Sequence, residues 1–182
     1  MAKPVPSYQL KITLIDTAPP VWRRVIVPGG WHLGRVHAVV QGAMGWQFAH
    51  LHAFERDGQR WGEPSGWDDG SVHREQVARL AEVVPNVGDE LIYTYDFGDG
   101  WAHALLVEQI VVPTQRGATC TGGGGACPPE DCGGPWGYRH LLEVAADPAH
   151  PEHTERLEWL GGPWDAEAFD LSLTDAAVRR LG

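Results

Sequence analysis

Three cysteines within one short stretch are the first side chains here that suggest chemistry. Cys120, Cys127 and Cys132 lie in CTGGGGACPPEDCGGPWGY, residues 120 to 138. Structural zinc takes four tetrahedral ligands from cysteine and histidine, and the glycines allow the backbone to wrap tightly around an ion. The stretch therefore predicts a zinc site, although the spacing lacks the Cys-x2-Cys pair of a typical zinc knuckle.

The fourth ligand of such a site would be a histidine. His103 and His52 are the favoured candidates, because both lie on predicted strands that can approach the cysteine stretch. The competing interpretation is that the thiols are small, buried and reduced side chains. Spacing alone leaves the two interpretations open.

A second group of polar side chains surrounds a predicted hairpin. The segment YDFGDGWAH holds Asp96, Asp99 and His103. Asp99 is most simply a turn residue. Together with His50 and His52 from another strand, Asp96 and His103 would line a polar pocket suited to a metal ion or to proton transfer. An ion with an open coordination position there would activate water for hydrolysis.

Two acidic residues follow the proline pair of the cysteine stretch. Glu130 and Asp131 have the chemistry of hard-metal ligands or of a general acid and base. Such a pair more often bonds loop amides or caps a helix, and a helix is expected from about Tyr138. The structural interpretation is favoured for this pair.

Charge and composition exclude several classes of protein. The 182 residues carry a formal net charge of -10, which disfavours generic binding to nucleic acid. No G-x-S-x-G nucleophile motif and no phosphate-binding loop is present. No apolar run has the length of a signal peptide core or a membrane span, and the odd cysteine count fits a reducing compartment. We expect a cytoplasmic protein that does not enter membranes.

Hydrophobic periodicity places strands first and helices last. This order predicts an α+β fold with a mostly antiparallel sheet, an early helix and a helical C-terminal third. We expect one domain over 1–182, with a sheet-rich part at 1–113 and the cysteine loop and helices at 114–182. The predicted strands cover 8–14, 21–27, 50–56 and two runs around Gly98–Gly100; the helices cover 33–44, 75–83, 138–146, 152–160 and 175–181; residues 57–73 are expected to be loop.

Five ordered stretches resemble a known family. They are WRRVIVP, HAVVQGAMGWQFAHLHAFE, YTYDFGDGWAHALLVE, the cysteine stretch and ADPAHPEHTERLEWLGGPWDAEAFDL. Together they resemble the plasmid pRiA4b ORF-3-like family, whose members are also labelled insertion-element passenger proteins and sometimes resolvases. The resemblance implies a compact α+β domain and brings no established activity. The activated serine and basic DNA-binding part that a serine recombinase needs are not visible in this sequence.

Three functional hypotheses follow. The first is a mobile-element-associated binding or accessory domain with a structural zinc site at the cysteines and His103 or His52. The second is a metal-dependent hydrolase that uses the His/Asp pocket. The third is a nucleic-acid accessory protein with a local arginine and tryptophan surface, for which Arg23, Arg24 and Arg35 are the candidates.

Overall fold

The structure, a computed structural model, describes residues 5–64, 70–112 and 117–182. Within these ranges eight strands form one sheet, accompanied by five helices. The strands are β1 (Ser7–Leu14), β2 (Trp22–Pro28), β3 (His52–Arg56), β4 (Gln59–Gly62), β5 (Val72–Arg74), β6 (Glu90–Tyr95), β7 (Trp101–Val111) and β8 (Thr119–Gly124). The helices are α1 (Leu33–Met44), α2 (Leu80–Val83), α3 (Gly134–Ala146), α4 (His153–Leu160) and α5 (Leu171–Leu181).

The strands lie in the order β5-β4-β3-β6-β7-β1-β2-β8. Neighbouring strands are antiparallel, except that β4 and β5 run parallel. The predicted α+β class with a mostly antiparallel sheet is therefore confirmed. Within the described ranges, no helix combines the length and the apolarity needed to cross a bilayer.

The core joins the central strands to α1. Strand β1 buries alternate residues, as its pattern predicts, and α1 buries the face that carries Leu33, Val36 and Val40. The helix ends where predicted, because Gly45 has a φ of 85° and its N–H donates to the Gln41 carbonyl at 2.8 Å.

Two predictions in the middle of the chain are wrong. The stretch 57–73 was expected to be loop, but it contains β4 and β5, and Trp61 of β4 packs in the core. The residues 65–69 of that stretch lie outside the described ranges. The helix expected at 75–83 is only the single turn α2, and Glu75 precedes it in an irregular segment. The short strands were missed because four residues or fewer give little periodicity.

The helical C-terminal third is confirmed only in part. Three helices follow the cysteine loop as expected, but the loop itself begins with β8, an edge strand paired with β2. Its glycine-rich sequence carries too few side chains to give a strand signal. Helix α5 begins at Leu171, four residues before the predicted start, with Asp170 as the N-cap that accepts from the Leu173 N–H.

Arg23 fastens the cysteine loop to the sheet and to α1. Its side chain is buried, and its Nε donates to the Ala43 carbonyl at 2.9 Å. Its Nη1 donates to the carbonyls of Trp22 and Gly124 at 2.8 and 2.9 Å, and the Phe169 ring lies 4.6 Å from the guanidinium. A buried cation thus satisfies backbone acceptors from three segments.

Replacing Arg23 by Met should lower the free energy of unfolding by about 3 kcal/mol, because three carbonyls lose a charged donor. Urea denaturation measures this loss. The matched control is Arg24→Met, which breaks a partly exposed ion pair with Glu108 and should cost less than about 1 kcal/mol. Equal losses in the two variants would contradict the role assigned to Arg23.

Candidate functional site

Three potential ligand atoms converge where the β6–β7 turn meets the cysteine loop. His50 Nε2 lies 3.2 Å from Asp131 Oδ1 and 3.7 Å from Asp96 Oδ2, and the three atoms lie within 4.8 Å of one another. The His50 Nε2 is enclosed by protein, yet it forms no hydrogen bond within the described part of the chain. We call this group the His50–Asp96–Asp131 cluster.

The spacing of the cluster fits a divalent ion. Ligand atoms about 2.1 Å from Zn²⁺ at tetrahedral angles are about 3.4 Å apart. The two distances from His50 bracket this value. One imidazole nitrogen and two carboxylate oxygens are ligands that Zn²⁺ accepts. Asp96 is partly fixed in advance, because its Oδ1 accepts the Gly98 N–H at 2.9 Å.

Left-handed backbone is concentrated around the cluster. Asp96 and Asp131 have φ values of 54° and 58°, and nearby Phe48 has a φ of 60°. Asp tolerates this conformation, but for an aromatic residue it is unfavourable by about 1 kcal/mol or more. Contacts elsewhere must therefore hold these residues in place.

The hydroxyl of Tyr95 makes those contacts. It donates to Glu130 Oε1 at 2.7 Å and accepts the N–H groups of Ala49 and His50 at 3.0 and 3.3 Å. His50 is therefore bonded through its backbone, Asp96 follows Tyr95 directly, and Asp131 follows Glu130. One buried hydroxyl thus positions all three residues of the cluster.

Trp46 reinforces the same junction. Its ring stacks on Tyr95 with centroids 4.9 Å apart, and its Nε1 donates to the Pro128 carbonyl at 3.1 Å. Glu130 also accepts the Gln47 N–H at 3.0 Å, which agrees with the structural role expected for this residue. Burial, followed by the hydrogen bond to Glu130, raises the pKa of Tyr95 to about 12, so the hydroxyl keeps its proton.

A cleft of about 550 Å³ opens beside His50. Its lining combines histidines with exposed apolar side chains. Among the lining residues are His37, Phe48, His52, Arg60 and Phe97.

A hydrogen-bond relay fixes His37 in this cleft. The Phe48 N–H donates to Gln41 Oε1 at 3.0 Å, so the Gln41 amide must donate through Nε2, which lies 3.0 Å from the Tyr93 oxygen. The buried Tyr93 hydroxyl then donates to His37 Nδ1 at 2.8 Å. His37 is thus the tautomer with its proton on Nε2.

His52 stacks on His37 and pairs with a buried carboxylate. The two imidazole rings are parallel with centroids 3.5 Å apart. His52 Nε2 lies 2.7 Å from Glu75 Oε2, and both side chains are largely buried. Sequence analysis placed His52 among the ligands but missed Glu75, which it assigned to a helix.

A second cleft of about 670 Å³ lies on the other side of the cluster, between the cysteine loop and α4. Asp131 lines it together with Trp46, Pro128, Trp159 and Trp164. Ala49 lines both clefts.

The cysteines are not part of this site. Among the described residues, they do not join a group of three ligand atoms within 4.8 Å, although Cys127 and Cys132 both pack against the core. Burial raises the pKa of the Cys127 thiol, and burial followed by the Asp99 carboxylate raises the pKa of Cys132 to about 12. A zinc site at the cysteines stays a prediction.

His103 and Asp99 are also separate from the cluster. His103 is fully buried behind Trp46 and Tyr93, and its Nδ1 lies 3.1 Å from the Tyr93 carbonyl. Asp99 accepts the Gly133 N–H through Oδ2 at 3.1 Å, which ties the hairpin turn to the start of α3.

Two features of the site were not among the candidates from the sequence. They are the hydrogen-bond relay through Gln41, Tyr93 and His37, and the Tyr95 hydroxyl that joins the loops. His37 and Gln41 are spaced by four residues, which places two polar side chains on one face of a helix that otherwise buries apolar residues. That spacing was an available signal. No comparable signal marks Tyr95, because tyrosines on strands usually serve the core.

These features define an α+β domain built on a single sheet, with a polar site where two loops meet the end of a hairpin. The chain belongs to the plasmid pRiA4b ORF-3-like protein family, whose profile matches residues 6–173. The resemblance seen in the sequence is therefore confirmed.

Two relatives extend this result. The chain is 42% identical over 177 residues to the uncharacterized protein y4hQ of Sinorhizobium fredii (strain NBRC 101917 / NGR234), which covers 95% of this chain and 91% of the relative. The crystal structure of a protein of unknown function, MM3350 from Methanosarcina mazei Go1, superposes with a TM-score of 0.84 at 33% identity. The superposition covers 92% of this chain and 96% of that one.

Replacing Tyr95 by Phe should lower the free energy of unfolding by about 2 kcal/mol, because Glu130 and two N–H groups lose a buried partner. Tyr138→Phe is the matched control, since its hydroxyl donates a long bond of 3.4 Å to the Ala126 carbonyl and accepts no backbone N–H within the described residues, and it should cost about 1 kcal/mol or less. Thermal or urea denaturation compares the two. A larger loss in the control would contradict the central position of Tyr95.

Stability should fall between pH 7 and pH 5. Burial, with a smaller effect of His52, lowers the pKa of His37 to about 3, and burial lowers the pKa of His103 to about 4. Both rings have a pKa of about 6.5 in the unfolded chain, so the unfolded state binds more protons as the pH drops. The expected loss is about 2 kcal/mol per histidine at pH 5.

Urea denaturation at both pH values measures this loss, and NMR of the two rings checks its origin. Neither ring should titrate above pH 5. A midpoint near pH 6.5 for either ring would contradict its burial as a neutral group.

Proposed function

We propose that this protein is a zinc-dependent hydrolase whose ion is held by His50, Asp96 and Asp131. The observation that carries the proposal is the convergence of three ligand atoms around an enclosed His50 Nε2 that has no hydrogen bond in the described ranges. A histidine this close to a carboxylate normally donates to it. An ion between these atoms accounts for the short distances and for the missing hydrogen bond.

The number of ligands favours a catalytic site over a structural one. Three protein ligands leave a position open for water, as in catalytic zinc sites, whereas structural sites are closed by four. A zinc ion so placed lowers the pKa of water and polarises the bond to be cut. The protein itself would position the reactants. The Tyr95 hydroxyl holds the loops that carry the ligands, and the two clefts would bind the substrate.

The two other hypotheses have less support. A structural zinc in a binding or accessory domain needs the thiols to gather, and they are not within ligand distance as a group in the described residues. A nucleic-acid accessory role needs free arginines. Instead, Arg23 is buried, Arg24 pairs with Glu108 and Arg35 lies over the Trp31 ring.

Replacing Asp96 by Asn should weaken Zn²⁺ binding by about 100-fold or more, because a charged ligand is lost while the side-chain shape is kept. Isothermal titration of metal-free protein should give one site per chain for the wild type. The matched control is Asp57→Asn. Asp57 also has a left-handed backbone, but it lies in the turn at the opposite end of β3, and its replacement should leave the affinity unchanged.

Cysteine variants separate this proposal from the zinc knuckle. Cys132→Ser should bind Zn²⁺ as tightly as the wild type if the ion lies at His50. Loss of binding in Cys132→Ser, with normal binding in Asp96→Asn, would overturn the proposal and place the zinc at the thiols. A wild-type protein that binds no Zn²⁺ would overturn both.

A further inference from the structure

The two clefts meet at the His50–Asp96–Asp131 cluster. His50 lines the first cleft and Asp131 lines the second, and the two side chains are 3.2 Å apart. Ala49 borders both clefts. The cluster therefore lies at the boundary between two cavities of about 550 and 670 Å³. We call this boundary the seam. Each volume falls within the range of protein ligand sites, so a chain that crosses the cluster would contact both cavities.

We propose that the two clefts form one groove that binds an extended polypeptide segment, with the peptide bond to be hydrolysed at the seam. This inference rests on the proposed function for its reaction and adds the class of substrate. In that reaction the oxygen of water bonds to the carbonyl carbon, the C–N bond breaks, and the leaving nitrogen takes one proton from the water. The new carboxylic acid gives up the second proton to the amine, so the products are a carboxylate and an ammonium group.

Apolar side chains on both sides of the seam favour a peptide. Phe48, Leu51 and Phe97 of the first cleft are 44%, 64% and 49% exposed. Trp159 of the second cleft is 50% exposed, and the partly buried Leu160 and Trp164 line the same cleft. Exposed aromatic and aliphatic groups at this density mark a surface that binds apolar side chains.

Charge disfavours a polyanion as the occupant. The lining includes the carboxylates of Glu63, Glu130 and Asp131, against the one guanidinium of Arg60 in the described part of both clefts. Arg60 itself lies over the Phe97 ring, 5.1 Å from its centroid. With a net charge of -10 on the whole chain, a peptide that carries Lys or Arg between apolar residues is complementary, whereas a nucleic acid is repelled.

The scarcity of neutral polar side chains disfavours a glycan. Sugars are bound through many hydroxyl and amide groups, but Gln47 is the one such side chain among the described residues that line the two clefts. A peptide needs fewer, because its side chains supply most of the contact area and its backbone can bond to a few donors. His37, with its proton on Nε2, is one donor at the first cleft.

Fluorescence anisotropy with labelled peptides tests the groove without any need for turnover. The probe is a pool of dodecapeptides that alternate apolar residues with Lys, measured with metal-free protein. Phe97→Ala alters one cleft and Trp159→Ala alters the other, and each should weaken binding by about tenfold. Trp136→Ala is the matched control, because Trp136 is 78% exposed, packs against Arg139 and lines neither cleft.

Three results would overturn the inference. They are no binding of any peptide in the pool, weaker binding in only one of the two cleft variants, and tighter binding of an oligosaccharide or an oligonucleotide. Each of them can occur while Zn²⁺ still binds at one site per chain, so the proposed function is tested separately by titration. Circular dichroism of each variant confirms that it folds.

Incubation of the pool with zinc-loaded protein, followed by mass spectrometry, tests the reaction. Cleavage should occur at internal peptide bonds next to an apolar residue and should be lost in Asp96→Asn. Metal-free Asp96→Asn should still bind the peptides, because both clefts are retained. Peptide binding without cleavage by the zinc-loaded protein would overturn the assignment of the scissile bond to the seam.

Discussion

The hydroxyl of Tyr95 is the interaction on which the site depends. It is fully buried, and it bonds two backbone N–H groups of one loop and the Glu130 carboxylate of another. In a low-dielectric environment such bonds are strong when made and costly when broken. They bring His50 and Asp131 to Asp96, which follows Tyr95 at the end of β6. The Tyr95 hydroxyl thus joins three segments that are distant in sequence.

The cysteine loop is held in place by hydrogen bonds and packing. Arg23 donates to the Ala43 carbonyl of α1 and to the Gly124 carbonyl of β8, and Trp46 donates to Pro128 within the loop. Asp99 bonds the backbone of Gly133. Gly134 allows the close approach at that point, since a Cβ there would lie 2.2 Å from the Asp99 carbonyl. A rigid loop keeps Asp131 near His50 even though its side chain is mostly exposed.

A polar hydrogen-bond network behind the first cleft further restricts the conformation of the site. Gln41, Tyr93 and His37 form a chain of hydrogen bonds in which each group donates to the next. The chain begins at the N–H of Phe48, whose backbone is strained. Because each member is satisfied by the next, the cleft wall has one arrangement of donors and acceptors. This order would help to position a substrate next to the proposed zinc ion.

The sequence by itself determined the fold class, the long strands, the capped helix α1 and the family, because periodicity and ordered motifs are local properties. It also named His50, Asp96 and Asp131 among its candidates, although it favoured a structural role for Asp131. Their grouping with one another, without His103 and the thiols, was decided by tertiary structure. Residue type and spacing do not reveal which loop reaches which strand. That choice depends on buried partners such as Tyr95 and Arg23, whose bonds to Glu130 and Gly124 join residues 35 and 101 positions apart.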